Sequence, residues 1–192
     1  MIETKATAEV RCAAGPASTN GSLEPIGPSP TPAQIEQFTH RDLLYGAAFS
    51  KIVSLMMNSP AHNHFHVSDL RWLVVPPLLL DQFAIAEAVP MGGVALSPFA
   101  AALWAGVSRE VDCRLSEDLD RSVMLAPEEW QSGDIFWIID AVGHPDIVPA
   151  FLEELVATRF PGKHPKMRVI DRQGVTKTLF VGLDDLEWKP QS

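Results

Sequence analysis

Between Met56 and Leu70 the chain reads MMNSPAHNHFHVSDL, which puts Ser59, His62, His64 and His66 just behind a segment that Pro60 must end. A serine and a histidine beside an acid can form an activated nucleophile or a general base when the fold brings them together. The acid candidate is Asp140, which closes the apolar run FWIID, where a carboxylate is costly unless paired. Pairing with a histidine would fix the imidazole tautomer and raise its basicity. A strand-end turn, with Gly143 and Pro145 close by, is the plainer account of the same aspartate. The chain has no GxSxG elbow. His62, His64 and His66 alternate, so in an extended segment they would share a face and could chelate a transition metal. In a loop leaving a helix they need not converge, which places metal binding behind acid–base chemistry.

The elements that must position these residues are readable in outline. Thr31-Pro32 is a good N-cap followed by proline at the first helical position. A helical pattern then runs towards Asn58, with Leu44, Ala48, Ile52, Leu55 and Met56 along one face. VSDLRWLV reads as a short helix with Ser68 as its cap. LLLDQFAIAEA reads as a strand, GGVALS as its hairpin partner, and PFAAALWAGVSREVDCRL as a helix. DIFWIIDAVG is the most strand-like run and should be central in a sheet. HPDIVPAFLEELVATRF then predicts an amphipathic helix, and PKMRVIDRQG and TKTLFVGL two further strands. That order gives an α/β (α+β) class with a mixed sheet flanked by helices. Residues 1–30 are rich in Ala, Ser, Thr, Gly and Pro and nearly lack large hydrophobics, so they are expected to be a disordered tail before one domain at 31–192.

Composition narrows the function. Of 192 residues, 46% are hydrophobic and 20% charged, which suits a globular core. A formal charge of −9 argues against nucleic acid as a partner, because displacing counterions needs a basic face. Cys12 and Cys113 are too few for a disulfide framework or a zinc quartet, and Cys113 reads as a small buried or half-buried residue. Residues 89–107 are uncharged until Arg109, but Pro90, Gly92, Gly93, Ser97 and Pro98 interrupt them, so no membrane insertion is expected. The first residues lack the apolar core of a secretory signal, and a cytoplasmic protein is expected.

Three stretches together, SKIVSLMMNSPAHNHFHVSDL, VVPPLLLDQFAIAEA and EEWQSGDIFWIIDAVG, resemble the RTX toxin-activating lysine acyltransferases, the haemolysin-activating family. The resemblance rests on Ser59, Pro60 and His62; on Pro77, Gln82 and Phe83; and on Trp130, Ser132, Gly133, Asp134, Trp137, Ile138, Ile139 and Asp140. It runs over roughly residues 45–183. Departures occur at Asn63, at Phe65-His66 and across Asp140 to Pro145.

The resemblance implies a GNAT-like fold and the transfer of a fatty acyl group from acyl carrier protein to internal lysines of an RTX-type protoxin. It implies His62 as catalytic base, Asp140 as its partner and Ser59 in support. No small cofactor is expected, the acyl group arriving on its carrier; the chain lacks the Gln/Arg-x-x-Gly-x-Gly loop with which coenzyme-A enzymes of that fold hold pyrophosphate. Arg159, Lys163, His164, Lys166 and Arg168 form the densest basic run, a landing patch for an acidic carrier or an ordinary solvated loop. A homodimer is left open. A binding module without catalysis and a histidine metal site remain the alternatives.

Overall fold

The computed structural model describes residues 31–183, apart from positions 91, 93, 95, 120–123 and 171–172. The expected tail at 1–30, with Cys12, and residues 184–192 lie outside the described residues.

Helix α1 (Pro32–Met57) starts where the cap signals place it. The Thr31 side chain accepts from the Gln34 N–H, and the Gln34 side chain returns a bond to the Thr31 N–H. Only its second half is packed, burying Ala48, Ile52 and Met56, while Leu44 is exposed, against expectation. A 3₁₀ turn (Val67–Asp69), α2 (Leu70–Leu73) and α3 (Val75–Leu79) follow. The first turn is capped from His66 rather than Ser68: the Asp69 carboxylate accepts the His66 N–H at 2.7 Å. Pro76 and Pro77 fit inside α3 because the first helical turn needs no N–H donors there. Leu78 and Leu79 are therefore helical, and strand β1 begins only at Phe83 (Phe83–Ala88).

The largest departure from the sequence reading is β2 (Ser97–Val107), where a helix was expected and GGVALS was expected to supply the strand. Alanine favours helix intrinsically, but this segment lies between two strands and is covered on both faces. Ala100, Ala102 and Trp104 join one core cluster and Ala101 and Leu103 another. Such strict alternation is a strand's period, and burial on both sides overrides propensity. The helical part of the run is α4 alone (Arg109–Glu117), capped by Ser108. Cys113 on that helix is exposed, not buried.

Strand β3 (Ile135–Gly143) is third of five in the order β1-β2-β3-β4-β5 and so central, as expected. It continues three residues past Asp140 instead of ending there. Helix α5 (Val148–Arg159) then crosses over to β4 (Lys166–Ile170), and β5 (Thr176–Phe180) returns beside it. The pairings β1–β2, β2–β3 and β4–β5 are antiparallel; β3–β4 is parallel, as a helical crossover requires. Helices α1 to α3 cover one face of this mixed sheet and α5 the other.

Candidate active site

Two local irregularities bring His62 to Asp140. The first is the exit of α1. Ser59 N–H bonds Met56 O, Pro60 forbids another helical turn, and His62 N–H bonds Ser59 O at 3.0 Å. Phe65 N–H bonds His62 O at 3.0 Å, so successive turns fold the chain back over the sheet. Ser59 and His62, three residues apart, then face each other, with Oγ and Nδ1 2.9 Å apart.

The second is a bulge in the sheet. Leu103 of β2 pairs with Asp140 but Trp104 pairs with Ile138, which leaves Ile139 as an extra residue in β3. Phe136 and Ile138 pack on the α5 side, and strict alternation would send residue 140 there too. Past the bulge the parity is reversed: Ala141 packs on the α5 side and Val142 on the α1 side. Asp140 is thereby turned onto the α1 face. Its carboxylate oxygens lie 3.0 and 3.2 Å from His62 Nε2.

The structure thus brings together the three residues singled out in the sequence. The imidazole is 7% exposed and the Asp140 side chain 18%. Burial alone would push the His62 pKa down. The hydrogen bond and negative charge of Asp140 outweigh it, and the net shift is above the ordinary value of 6.5. An ionised carboxylate accepts only, so in the neutral ring Nε2 carries the proton and donates to Asp140. Nδ1 then holds the lone pair and accepts from the Ser59 hydroxyl. The Phe65 ring meets the imidazole edge-on, with centroids 5.2 Å apart, and walls its other side.

The other histidines diverge. His64 packs edge-on against Phe65, and His66 is an exposed partner of Asp69 at 3.7 Å. Among the described residues no group of three His, Cys, Asp or Glu is arranged to hold a metal ion.

The expected basic run is broken up by the fold. Lys166 is bound to Asp112, at 2.7 and 3.0 Å, and Arg168 donates to the carbonyls of Leu115 and Asp118 at the end of α4. Lys163 lies over the Phe136 ring, 4.5 Å from its centroid. Both tied cations fasten the β4–β5 hairpin to α4. Asp112 also accepts the Trp137 indole N–H at 2.8 Å. Sequence reasoning missed Asp112, because one aspartate on an amphipathic helix gives no signal. The Trp130–Asp134 motif proves architectural: Ser132 Oγ accepts the Ser108 N–H, and Gly133 packs so tightly that a Cβ would lie 2.5 Å from Val107 O.

One more feature borders the site. Parallel pairing between β3 and β4 comprises only Trp137 with Lys166 and Ile138 with Met167 among the described residues. From Ile139 onward β3 has no strand partner on that side among the described residues, and this edge begins where the bulge presents Asp140.

The family model of the RTX toxin acyltransferases matches residues 44–180, a span that holds Ser59, His62 and Asp140 and ends with β5. The chain belongs to this family. Among its curated relatives, the leukotoxin-activating lysine-acyltransferase LktC of Pasteurella haemolytica-like sp. (strain 5943B) is 32% identical over 114 residues, which are 58% of this chain and 64% of that protein. LktC serotype A1 of Mannheimia haemolytica is 30% identical over 125 residues, 65% of this chain and 66% of the relative. The RTX-II toxin-activating lysine-acyltransferase ApxIIC of Actinobacillus pleuropneumoniae is 32% identical over 111 residues, 58% and 63% of the two chains. The chain therefore spans a little under two thirds of the length of these relatives. At such identities it is a divergent member of the family, and residues 32–43 of α1 precede the matched span. No described helix of this member is long and apolar enough to cross a membrane.

Proposed function

We propose that this chain is a protein-lysine acyltransferase that activates an RTX-type protoxin, taking its acyl group from acyl carrier protein. The observation that carries the proposal is His62 held between Asp140 and Ser59 beside the unpartnered edge of β3. A lysine ammonium must lose a proton before its nitrogen can attack a thioester. A buried imidazole whose Nε2–H is anchored on a carboxylate keeps Nδ1 as the basic nitrogen, the arrangement a general base needs. The free backbone edge of β3 suits an extended donor arm bearing amides, which can pair with it as a strand would. Backbone N–H groups near the sheet would have to stabilise the oxyanion that forms on attack.

The start of α5 favours a protein-borne acyl group over coenzyme A. A pyrophosphate would need free N–H groups there. Ile147 and Val148 N–H both bond His144 O, Pro149 has no N–H, and Asp146 would repel the phosphates. His62 takes the proton, Asp140 stabilises the imidazolium, and the acyl group passes to the lysine as an amide while the carrier thiol leaves. In such a reaction the protein works in the cytoplasm, where acyl carrier protein and unexported protoxin coexist.

The test supplies acyl carrier protein charged with fatty acids of several lengths and an RTX-type protoxin, and reads lysine acylation by mass spectrometry. Wild type should acylate and His62→Ala should not. A wild type that binds protoxin without acylating it at any chain length would make this a binding module instead.

A further inference from the structure

The imidazole has no free nitrogen to offer a substrate. Nε2 is engaged by both oxygens of Asp140 at 3.0 and 3.2 Å, Nδ1 by Ser59 Oγ at 2.9 Å, and the ring is 7% exposed with Phe65 against it. A lysine amine cannot touch Nδ1 unless Ser59 is displaced. Ser59 is held in place: its N–H bonds Met56 O, its carbonyl accepts the His62 N–H, and Pro60 restricts its backbone. Ser59 is half-buried, more open to substrate than the imidazole, and its hydroxyl is the group bonded to Nδ1.

On the acyltransfer reading above, we propose that Ser59 is the group that meets the attacking lysine nitrogen and relays its proton to His62. The lysine first loses one proton to solvent and reaches the site as a neutral amine. As its nitrogen bonds to the thioester carbon, an N–H proton passes to Ser59 Oγ while the Ser59 hydroxyl proton passes to His62 Nδ1. The imidazolium so formed keeps Nε2–H on Asp140. When the carbon–sulfur bond breaks, the electron pair leaves on sulfur, and the reverse relay returns the proton to give the carrier thiol. Thioester and amine become amide and thiol, and Ser59 ends as it began, without forming an ester. A hydroxyl suits this role because it donates and accepts at once. A methyl group would leave Nδ1 recessed behind a gap.

The experiment compares wild type, Ser59→Ala and Ser59→Thr in the full chain, with acyl carrier protein charged with fatty acids of several lengths and an RTX-type protoxin as substrates. Ser59→Ala should lose about 10²-fold in kcat with KM little changed, within the range expected of proton-transfer catalysis. Ser59→Thr, which keeps the hydroxyl, should recover most of that loss. The rate of wild type in mixtures of light and heavy water should curve as two moving protons require. Nitrogen NMR of the neutral imidazole should find the proton on Nε2 whether or not the protoxin is a good substrate. Ser59→Ala at wild-type kcat, a proton resting on Nδ1, or an acyl ester on Ser59 in rapidly quenched samples would each overturn the relay. A wild type that never acylates overturns the acyltransferase reading and the relay with it, whereas the other failures leave that reading standing.

Discussion

Replacing Asp140 with asparagine keeps the shape of the site and removes its charge. Burial lowers the His62 pKa, and the carboxylate, which holds Nε2 through two contacts, raises it by more. In Asp140→Asn burial acts without the opposing charge, and the pKa should fall from above the ordinary value to below it. The alkaline plateau of activity should also drop. A hydrogen bond to a charged partner is worth about 1.5–3 kcal/mol, and the imidazolium that forms during reaction loses that stabilisation. At 1.36 kcal/mol per tenfold, this is roughly a 10- to 150-fold loss in rate. A second loss comes from the tautomer. Asparagine can donate its amide N–H to Nε2, which drives the proton to Nδ1 and leaves Ser59 without an acceptor, so the total should approach about 10³-fold. Single-turnover acylation from pH 5 to 9 measures both effects. Wild-type rate should rise through a pKa above 6.5, and the residual rate of the variant should rise at lower pH to a much lower plateau. An unchanged plateau, or a limb displaced to higher pH, would refute the assignment of Asp140 as the charge that orients and stabilises His62.

The raised His62 pKa also predicts a stability effect. The folded state binds this proton more tightly than the unfolded chain, so the contribution is fully present below the unfolded value and is lost as pH rises through the folded one. The difference in unfolding free energy between wild type and His62→Ala should therefore be larger at pH 5.5 than at pH 9 in urea titrations. Ile52→Ala, at a position with no exposure under α1, should cost about 2–5 kcal/mol; a thermal midpoint within a degree of wild type would contradict that packing. Asp112→Asn removes the charge that holds Lys166 while leaving an acceptor for Trp137, and should cost roughly 1–3 kcal/mol by denaturant unfolding without altering the His62 tautomer.

Much of this site was legible because its signals are local. Thr31-Pro32 and Pro60 mark the ends of α1 by backbone chemistry alone, and Ser59 and His62 are three residues apart. Asp140 was legible as a charge in an apolar run, but its direction was not. The reversal of parity at Ile139 comes from a pairing shift against Leu103 and Trp104, thirty-five residues earlier, and nothing in FWIID announces it. Strand β2 was misread for a related reason: six of its eleven residues are small, and only the two layers packed against it decide for strand over helix. The basic run reads in sequence as one patch because a charge count does not show that Lys166 and Arg168 turn inward to α4.

The two-pair contact between β3 and β4 among the described residues divides the sheet mechanically. β1, β2 and β3 are joined by long antiparallel ladders, and β4 and β5 by five pairs of their own. Between these blocks the described backbone ladder is short; Lys166 and Arg168 tie β4 to α4, and Met167 and Val181 pack in the α5-side core with Ile138. Cooperative opening follows the weakest boundary, so the β4–β5 hairpin should exchange its amide hydrogens as one unit, ahead of the three-stranded block. Asp112→Asn should speed that exchange by loosening the Lys166 link, while the ladder of β2 and β3 keeps its protection.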